Sequence, residues 1–434
     1  MKHAPAEDIV DFLSFSSDAP NRVSAFKRFH PREWAQVLRW LNDAGLAFYF
    51  LQKLKDTDTA DKVPAWVLSH LEQNFTANQE RIADLTNRFE ALNQLFDRAG
   101  VRYAALKGLS LVPQFCPDSS LRYQGDFDYL VDDQSLPAAQ QVLLESGYSP
   151  KFSPSSQEYI FIMSGSAEPS RTGDQYRAAA PHAVELHLDM WDNDFDKVPS
   201  VPKLFFVQHA TAHQYNGLKF LALSDEDAFL LQVLHACHHF FSHWIRMSCV
   251  FEIGYFLNRR ASDTALWERI AERVNGSMVL REFVVVVAEL TSNVFAAPLP
   301  QLVRVWGSTI CPGSRVWLDH YARHWAFCEL PVHQFALFPR AKLIRFLHNQ
   351  YKENRSATTP EGTQPRRPSR LARIAFSIKN QPSLVLNVAW WKRQLLIRRA
   401  LFHALAGLRY FCELPRWLWL NRTRMRSASL GGQA

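Results

Sequence analysis

The sequence predicts an α+β chain, with a small mixed β-sheet flanked by N- and C-terminal helical regions. Three observations carry this. Val101–Leu106 and Asp126–Val131 are short runs of aromatic and aliphatic residues, the composition of strands entering a core. Ala183-Val-Glu-Leu-His-Leu188 alternates strictly, with Val184, Leu186 and Leu188 on one face and Glu185 and His187 on the other. On either side of these runs, apolar residues recur at helical spacing, as in Trp66–Ala99 and Asp225–His243.

Taken in order, residues 1 to about 95 read as helical. Glu33–Phe50 repeats Trp34, Val37, Leu38 and Leu41, and Trp66–Ala99 repeats Leu68 through Phe96 before stopping at Gly100. Strand Val101–Leu106 leads to Lys107-Gly108, a short helix over Leu109–Phe115, a turn at Pro117–Ser120 and the Asp126 strand. Gln134–Ser146 is a further helix, closed by Gly147. Residues 150–158 and 164–175 read as loops around Tyr159–Met163, followed by a strand pair, Gln175–Ala180 and His182–Met190. From about residue 200 the pattern is helical: Asp225–His243, Trp244–Asn258, Thr264–Arg273, Ser314–Glu329 and Pro339–Tyr351. Val279–Thr291 fits a buried helix or a strand. The divisions expected are a helical region (1–95), a sheet core (96–198), a helical domain (199–351), a Pro-rich linker (352–370) and a basic, aromatic-rich helical tail (371–434).

Composition narrows the function classes. With 434 residues, 47% hydrophobic and 21% charged, the chain is long enough for two or three domains and ordinary for a soluble protein. Its six cysteines are scattered with no Cys-x-x-Cys pair, which points away from a disulfide framework or zinc knuckle and toward a reducing, cytoplasmic compartment. The N-terminus lacks the apolar segment of a signal peptide, and no apolar run approaches the ~20 residues of a membrane span. The net charge of +7 is uneven: residues 340–434 hold 19 Lys plus Arg against three acids, or +16, which leaves −9 for the rest.

Chemistry concentrates in Arg122-Tyr-Gln-Gly-Asp-Phe-Asp-Tyr-Leu-Val-Asp132. Residues two apart on a strand share a face, so Asp126 and Asp128 project together while Phe127 and Tyr129 point away. Paired carboxylates repel and raise one another's pKa unless cations neutralise them, and hard divalent ions are the usual partners. A solvated acidic strand end is the plainer alternative. Glu185, on the open face of its own strand, has the character of a third ligand, or again of a solvated strand face.

The ordered set Leu-Lys107-Gly108, Arg122, Asp126-Phe-Asp128 and Val-Glu185-Leu-His187 resembles the DNA-polymerase-β-like nucleotidyltransferase superfamily. More narrowly, it resembles a bacterial family of uncharacterised nucleotidyltransferases in which Lys-Gly replaces the usual Gly-Ser. The resemblance spans roughly residues 95–260. It implies Mg²⁺ or Mn²⁺ held by Asp126, Asp128 and Glu185, and a nucleoside triphosphate held by Lys107, Gly108, Ser110 and Arg122. Gly108 would let backbone N–H groups of the following helix approach phosphate. Alternatively, Lys107 is a surface charge and Arg122 pairs with Asp118 or Asp126. Two departures stand out: no Ser directly follows Gly108, and the Asp126 strand begins 18 positions after it.

His235, His239 and His243 share a helical face in the chain's densest histidine cluster, which also contains His238. This cluster reads as hydrogen-bonded packing beside the cleft or, less simply, as a transition-metal site. His182, His187 and His239 are candidate outer-shell groups, with His187 also a candidate proton acceptor. In the tail, Trp390, Trp391, Phe402, Tyr410, Phe411, Trp417 and Trp419 mingle with Lys392, Arg393, Arg398, Arg399, Arg409 and Arg416. That mixture suits an anionic membrane surface, nucleic-acid phosphates, or a helical hairpin packed on the body. The function expected is metal-dependent transfer of a nucleoside monophosphate, most simply from ATP, to an acceptor hydroxyl or phosphate. The alternative is a nucleotide-binding scaffold docked by its tail at the inner membrane surface or on nucleic acid. Acceptor and oligomeric state are not readable.

Overall fold

The structure, a computed structural model, describes residues 5–151, 153, 155–163, 176, 182–192, 201–242, 246–323, 412 and 414–420. The N-terminal region is helical as expected: α1 (Pro5–Leu13), α2 (Pro31–Ala44), α3 (Ala47–Asp56) and α4 (Ala65–Arg98). The single helix expected over Glu33–Phe50 is two, because Gly45 closes α2 in the left-handed region (φ 72).

Seven strands form one mixed sheet: β1 (Tyr103–Ala105), β2 (Asp126–Val131), β3 (Tyr148–Lys151), β4 (Glu158–Met163), β5 (Ala183–His187), β6 (Thr211–Tyr215) and β7 (Leu218–Ala222). Their order is β3-β4-β5-β2-β1-β7-β6, so β2 and β5 lie near the centre. Helix α5 (Leu136–Glu145) links β2 to β3. The β6–β7 hairpin carries the sheet past residue 198, where the sequence reading turned to helix. Its Asn216-Gly217 turn, with both φ positive (48 and 83), is the strongest short-range hairpin signal, and the alternation of Leu218, Phe220 and Ala222 follows it.

The helix expected over Leu109–Phe115 is only a four-residue 3₁₀ turn, Gly108–Leu111. Pro113 disfavours helical backbone at Val112, which is extended (φ −90, ψ 137). The ambiguous Val279–Thr291 run is helical. After the hairpin come α6 (Asp225–Ser242), α7 (Met247–Arg260), α8 (Thr264–Val274), α9 (Met278–Phe295), α10 (Gln301–Gly307) and α11 (Pro312–His320). The strand expected over Gln175–Ala180 (Tyr176 apart), His243, the Pro339–Tyr351 helix, the 352–370 linker and most of the tail lie outside the described residues. Of the tail, residues 414–420 are helical and bury Trp417 against Tyr321 (ring centroids 5.6 Å), while Trp419 stays 63% exposed.

Two cores sandwich the sheet. Phe127, Tyr129, Val131, Val184 and Leu186 pack on Phe89, Leu92 and Phe96 of α4 and on α5. The opposite face, with Ala104, Leu106 and Leu130, joins a larger core made by α1–α3, the first turns of α4, and α6–α9. No helix among the described residues is long and apolar enough to cross a membrane.

Candidate active site

Strand pairing assembles the carboxylates. β2 and β5 run parallel with Asp126 opposite Ala183, Asp128 opposite Glu185 and Leu130 opposite His187. Phe127 and Tyr129 turn the other way, where Phe89 sits 5.6 and 5.7 Å from their rings and the Tyr129 hydroxyl donates to Asn93 Oδ1 at 2.8 Å. Asp126, Asp128 and Glu185 are thereby left toward the helical layer. β1 pairs with the other edge of β2, and the Leu106 N–H donates to the Asp128 carbonyl at 3.0 Å. The next residue, Lys107, therefore reaches the same carboxylates.

Lys107 Nζ donates to Asp128 Oδ1 at 2.8 Å, and His187 Nε2 lies 3.2 Å from that oxygen and 3.6 Å from Glu185 Oε2. Burial opposes charge on Asp128, but Lys107 and the His187 hydrogen bond outweigh it and hold the carboxyl well below its usual range. Burial likewise opposes the Lys107 ammonium, and Asp128, Glu185 and Asp126 more than compensate. His187 is disfavoured as a cation by burial, yet its bonds to Asp128 and Glu185 bring it up to about 9. In this arrangement its Nε2 is directed at both carboxylates. Asp126 receives no side-chain hydrogen bond among the described residues; burial, then Asp128 and Glu185, raise it to about 7.

The approach to β2 is fixed from α4. Asn78 Nδ2 donates to the carbonyls of Ser120 (2.8 Å) and Arg122 (3.1 Å), and the buried Arg81 donates to the Gln124 carbonyl. Gln124 Nε2 in turn donates to the Asp126 carbonyl at 3.0 Å. Gly108 has φ +67, and a Cβ there would stand 2.3 Å from Gln124 Nε2. Its missing side chain thus makes room for Gln124, and the short turn after it supplies no helix dipole. Ser110 Oγ donates to the Lys107 carbonyl at 3.2 Å and does not line the cavity. Arg122 pairs neither with Asp118 nor with Asp126: its Nε and Nη2 meet Glu252 of α7 at 3.1 and 3.5 Å, and Tyr49 of α3 donates to the same carboxylate at 2.8 Å.

These groups open on a cavity of about 530 Å³ between the sheet and helices α6 and α7. Lys107, Gly108, Arg122, Asp126, Glu185, His187 and His239 all line it. His182 does not; it packs against Phe127 and bonds the Tyr148 hydroxyl at 2.7 Å on the sheet's other face. At the helical wall, His235 Nε2 and His239 Nε2 are 2.8 Å apart. Burial first, then neighbouring cations, keeps both rings neutral, His239 at about 3. Cys249, on the same wall, is pushed up to about 11 by burial and is a poor nucleophile. The sequence reading missed Glu158, Asp189 and Asp192, which line the cavity from β4 and the segment after β5. They are isolated acids with no spacing signal.

One group among the described residues could hold a metal ion: Asp128, Glu185 and His187, with one ligand atom from each within 4.8 Å of the others. Asp126 stands outside this tight triple because its neighbour on β5 is Ala183. A ligating imidazole is neutral, so an ion at this group would displace a proton from His187 or be held by the carboxylates alone. Two carboxylates and one imidazole, with no thiolate, make a donor set suited to a divalent cation rather than to a soft metal.

No curated protein and no solved structure matches the chain. A family described as uncharacterised nucleotidyltransferase matches residues 30–296, more than half of the sequence. The match takes in α2–α4, the whole sheet and the helices through α9, well beyond the 95–260 span visible in the motifs. With its three carboxylates, basic Lys107 and enclosing helices inside that span, the chain belongs to the uncharacterised nucleotidyltransferase family.

Proposed function

We propose that the protein transfers a nucleoside monophosphate from a nucleoside triphosphate, ATP being the simplest donor, to an acceptor hydroxyl or phosphate in the cavity. The observation that carries this reading is the placement of Asp126 and Glu185 on adjacent central strands, lining one cavity together with Lys107, while Asp128 lies opposite Glu185 and accepts from the Lys107 ammonium. Asp126, Asp128 and Glu185 would hold Mg²⁺ or Mn²⁺, which when bound supplies charge neutralisation at the phosphates. Lys107 adds a fixed positive charge where the triphosphate would lie. Arg122 lines the same space, and its guanidinium, held by Glu252, adds a second fixed positive charge there. For a hydroxyl acceptor, its oxygen bonds the α-phosphorus and the α–β bridging P–O bond breaks. The bond's electron pair leaves with pyrophosphate, and the hydroxyl proton passes to Glu185.

The test is pyrophosphate release from each of the four ribonucleoside triphosphates with Mg²⁺ or Mn²⁺ and host-cell extract as the source of acceptor. Wild type is compared with Asp126→Ala/Asp128→Ala. Metal-dependent release that vanishes in the double variant is the expected result. Equal silence of both proteins sinks the catalytic reading.

One observation favours a second reading, a module that binds nucleotide without efficient turnover. The Ser110 hydroxyl is turned onto the Lys107 carbonyl, and only a four-residue 3₁₀ turn begins at Gly108, an arrangement unlike the phosphate-binding helix start that the superfamily resemblance implies. Nucleotide binding by the wild type without pyrophosphate release selects it.

A further inference from the structure

The carboxylate cluster supports a more specific statement, which rests on the nucleotidyl-transfer reading. Asp128 Oδ1 has two lone pairs, and both are engaged, by Lys107 Nζ at 2.8 Å and His187 Nε2 at 3.2 Å. Oδ2 receives no hydrogen bond among the described residues. The Asp128 side chain is 1% exposed and lies between the buried Phe127 and Tyr129 in the middle of the sheet, so it has little room to exchange its oxygens. Two-ion sites of this chemistry set the ions about 3.5–4 Å apart as a clamp, and a carboxylate bridging them gives one oxygen to each. Here one oxygen of the central aspartate is already committed to an ammonium group.

Lys107 is anchored for this role. The N–H of the residue before it is bonded to the Asp128 carbonyl, and its ammonium sits in the attraction of Asp128, Glu185 and Asp126 together. Withdrawing it would strip a nearly inaccessible carboxylate of its counter-charge. We infer that this chain holds a single divalent cation on Asp128 and Glu185, whose ligand atoms lie within 4.8 Å of one another, and that the Lys107 ammonium takes the place of the second ion. The second positive charge is then part of the polypeptide and is present at every metal concentration.

The experiment is a Mn²⁺ titration of the full chain, alone and with equimolar α,β-methylene ATP as an unreactive donor. It is read by equilibrium dialysis and by electron paramagnetic resonance. Wild type is expected to take up one ion per chain with an uncoupled six-line spectrum. Lys107→Met is expected to take up two, with spin–spin coupling between them. Two coupled ions in the wild type overturn the inference while leaving nucleotidyl transfer intact. One ion in both proteins overturns the substitution by Lys107. No ion in the wild type, with or without nucleotide, overturns this inference and the nucleotidyl-transfer reading together. Should Lys107→Met fail to fold, the wild-type stoichiometry and coupling still decide.

Discussion

Arg122 and Glu252, 130 positions apart, meet in a buried fork at 3.1 and 3.5 Å that ties the segment before β2 to helix α7. Tyr49 completes the link from α3 with a 2.8 Å bond to the same carboxylate. Removing one member leaves the other as an uncompensated buried charge, which costs about 3–5 kcal/mol. Glu252→Ala is therefore expected to lower the urea midpoint sharply. The Arg122→Met/Glu252→Met pair should fall less than either single methionine variant. Additive losses in that cycle, measured by urea unfolding, contradict the assignment.

Gly108 combines φ +67 with a Cβ position 2.3 Å from Gln124 Nε2. Gly108→Ala is expected to cost about 1–3 kcal/mol through left-handed backbone strain and displacement of Gln124. Adding Gln124→Ala removes the clash but not the strain, so denaturation of the double variant should show partial recovery relative to Gly108→Ala. Full recovery would mean that the backbone conformation carries no penalty.

His182 is held down to about 4, chiefly by burial and further by Arg88 and Arg81. Unfolded, its pKa returns to 6.5. Between pH 6.5 and 4 the unfolded chain binds a proton that the folded chain refuses, so stability falls as pH drops through this window and levels off below it. The contribution amounts to at most about 3 kcal/mol. His182→Gln should flatten the difference between unfolding free energies at pH 7.5 and pH 4.5 by up to that amount. An unchanged difference would place the proton elsewhere.

On the catalytic reading, Asp128→Asn and Lys107→Ala each remove charge complementarity at the reacting phosphates. Each is expected to lower metal-dependent pyrophosphate release by on the order of 10²–10³-fold. Ser110→Ala, whose hydroxyl lies off the cavity, should stay within about threefold of wild type, since it loses only one partly buried hydrogen bond to a carbonyl. A Ser110→Ala loss as deep as that of Lys107→Ala would show that the turn rearranges around phosphate.

Much of this architecture is written in short-range periodicity. Asp126, Phe127, Asp128 and Tyr129 declare their two faces by strict alternation, and Glu185 and Leu186 do the same, while β1 was legible from the composition of Val101–Leu106. Long-range pairing is a different matter. Nothing near residue 122 announces Glu252, and Asp118 and Asp126 were closer candidates in sequence. The β6–β7 hairpin was legible at Asn216-Gly217 but was masked by the helical pattern beginning at Asp225. Gly108 was legible as a place of close approach, assigned to phosphate, yet the group that comes close is the Gln124 side chain, which depends on the fold of a segment 16 positions later.

Helix α4 has 34 residues, a rod of about 51 Å. Val67 and Leu71 of its first turns belong to the helical core, whereas Ile82 to Phe96 belong to the core beneath the sheet. Asn78 and Arg81, at the changeover, grip the strand entrance that leads to Asp126. A single girder thus runs through both halves of the molecule, so neither half can melt without loosening a support of the other. Heating should accordingly give one calorimetric peak for this body, with the van't Hoff and calorimetric enthalpies in agreement.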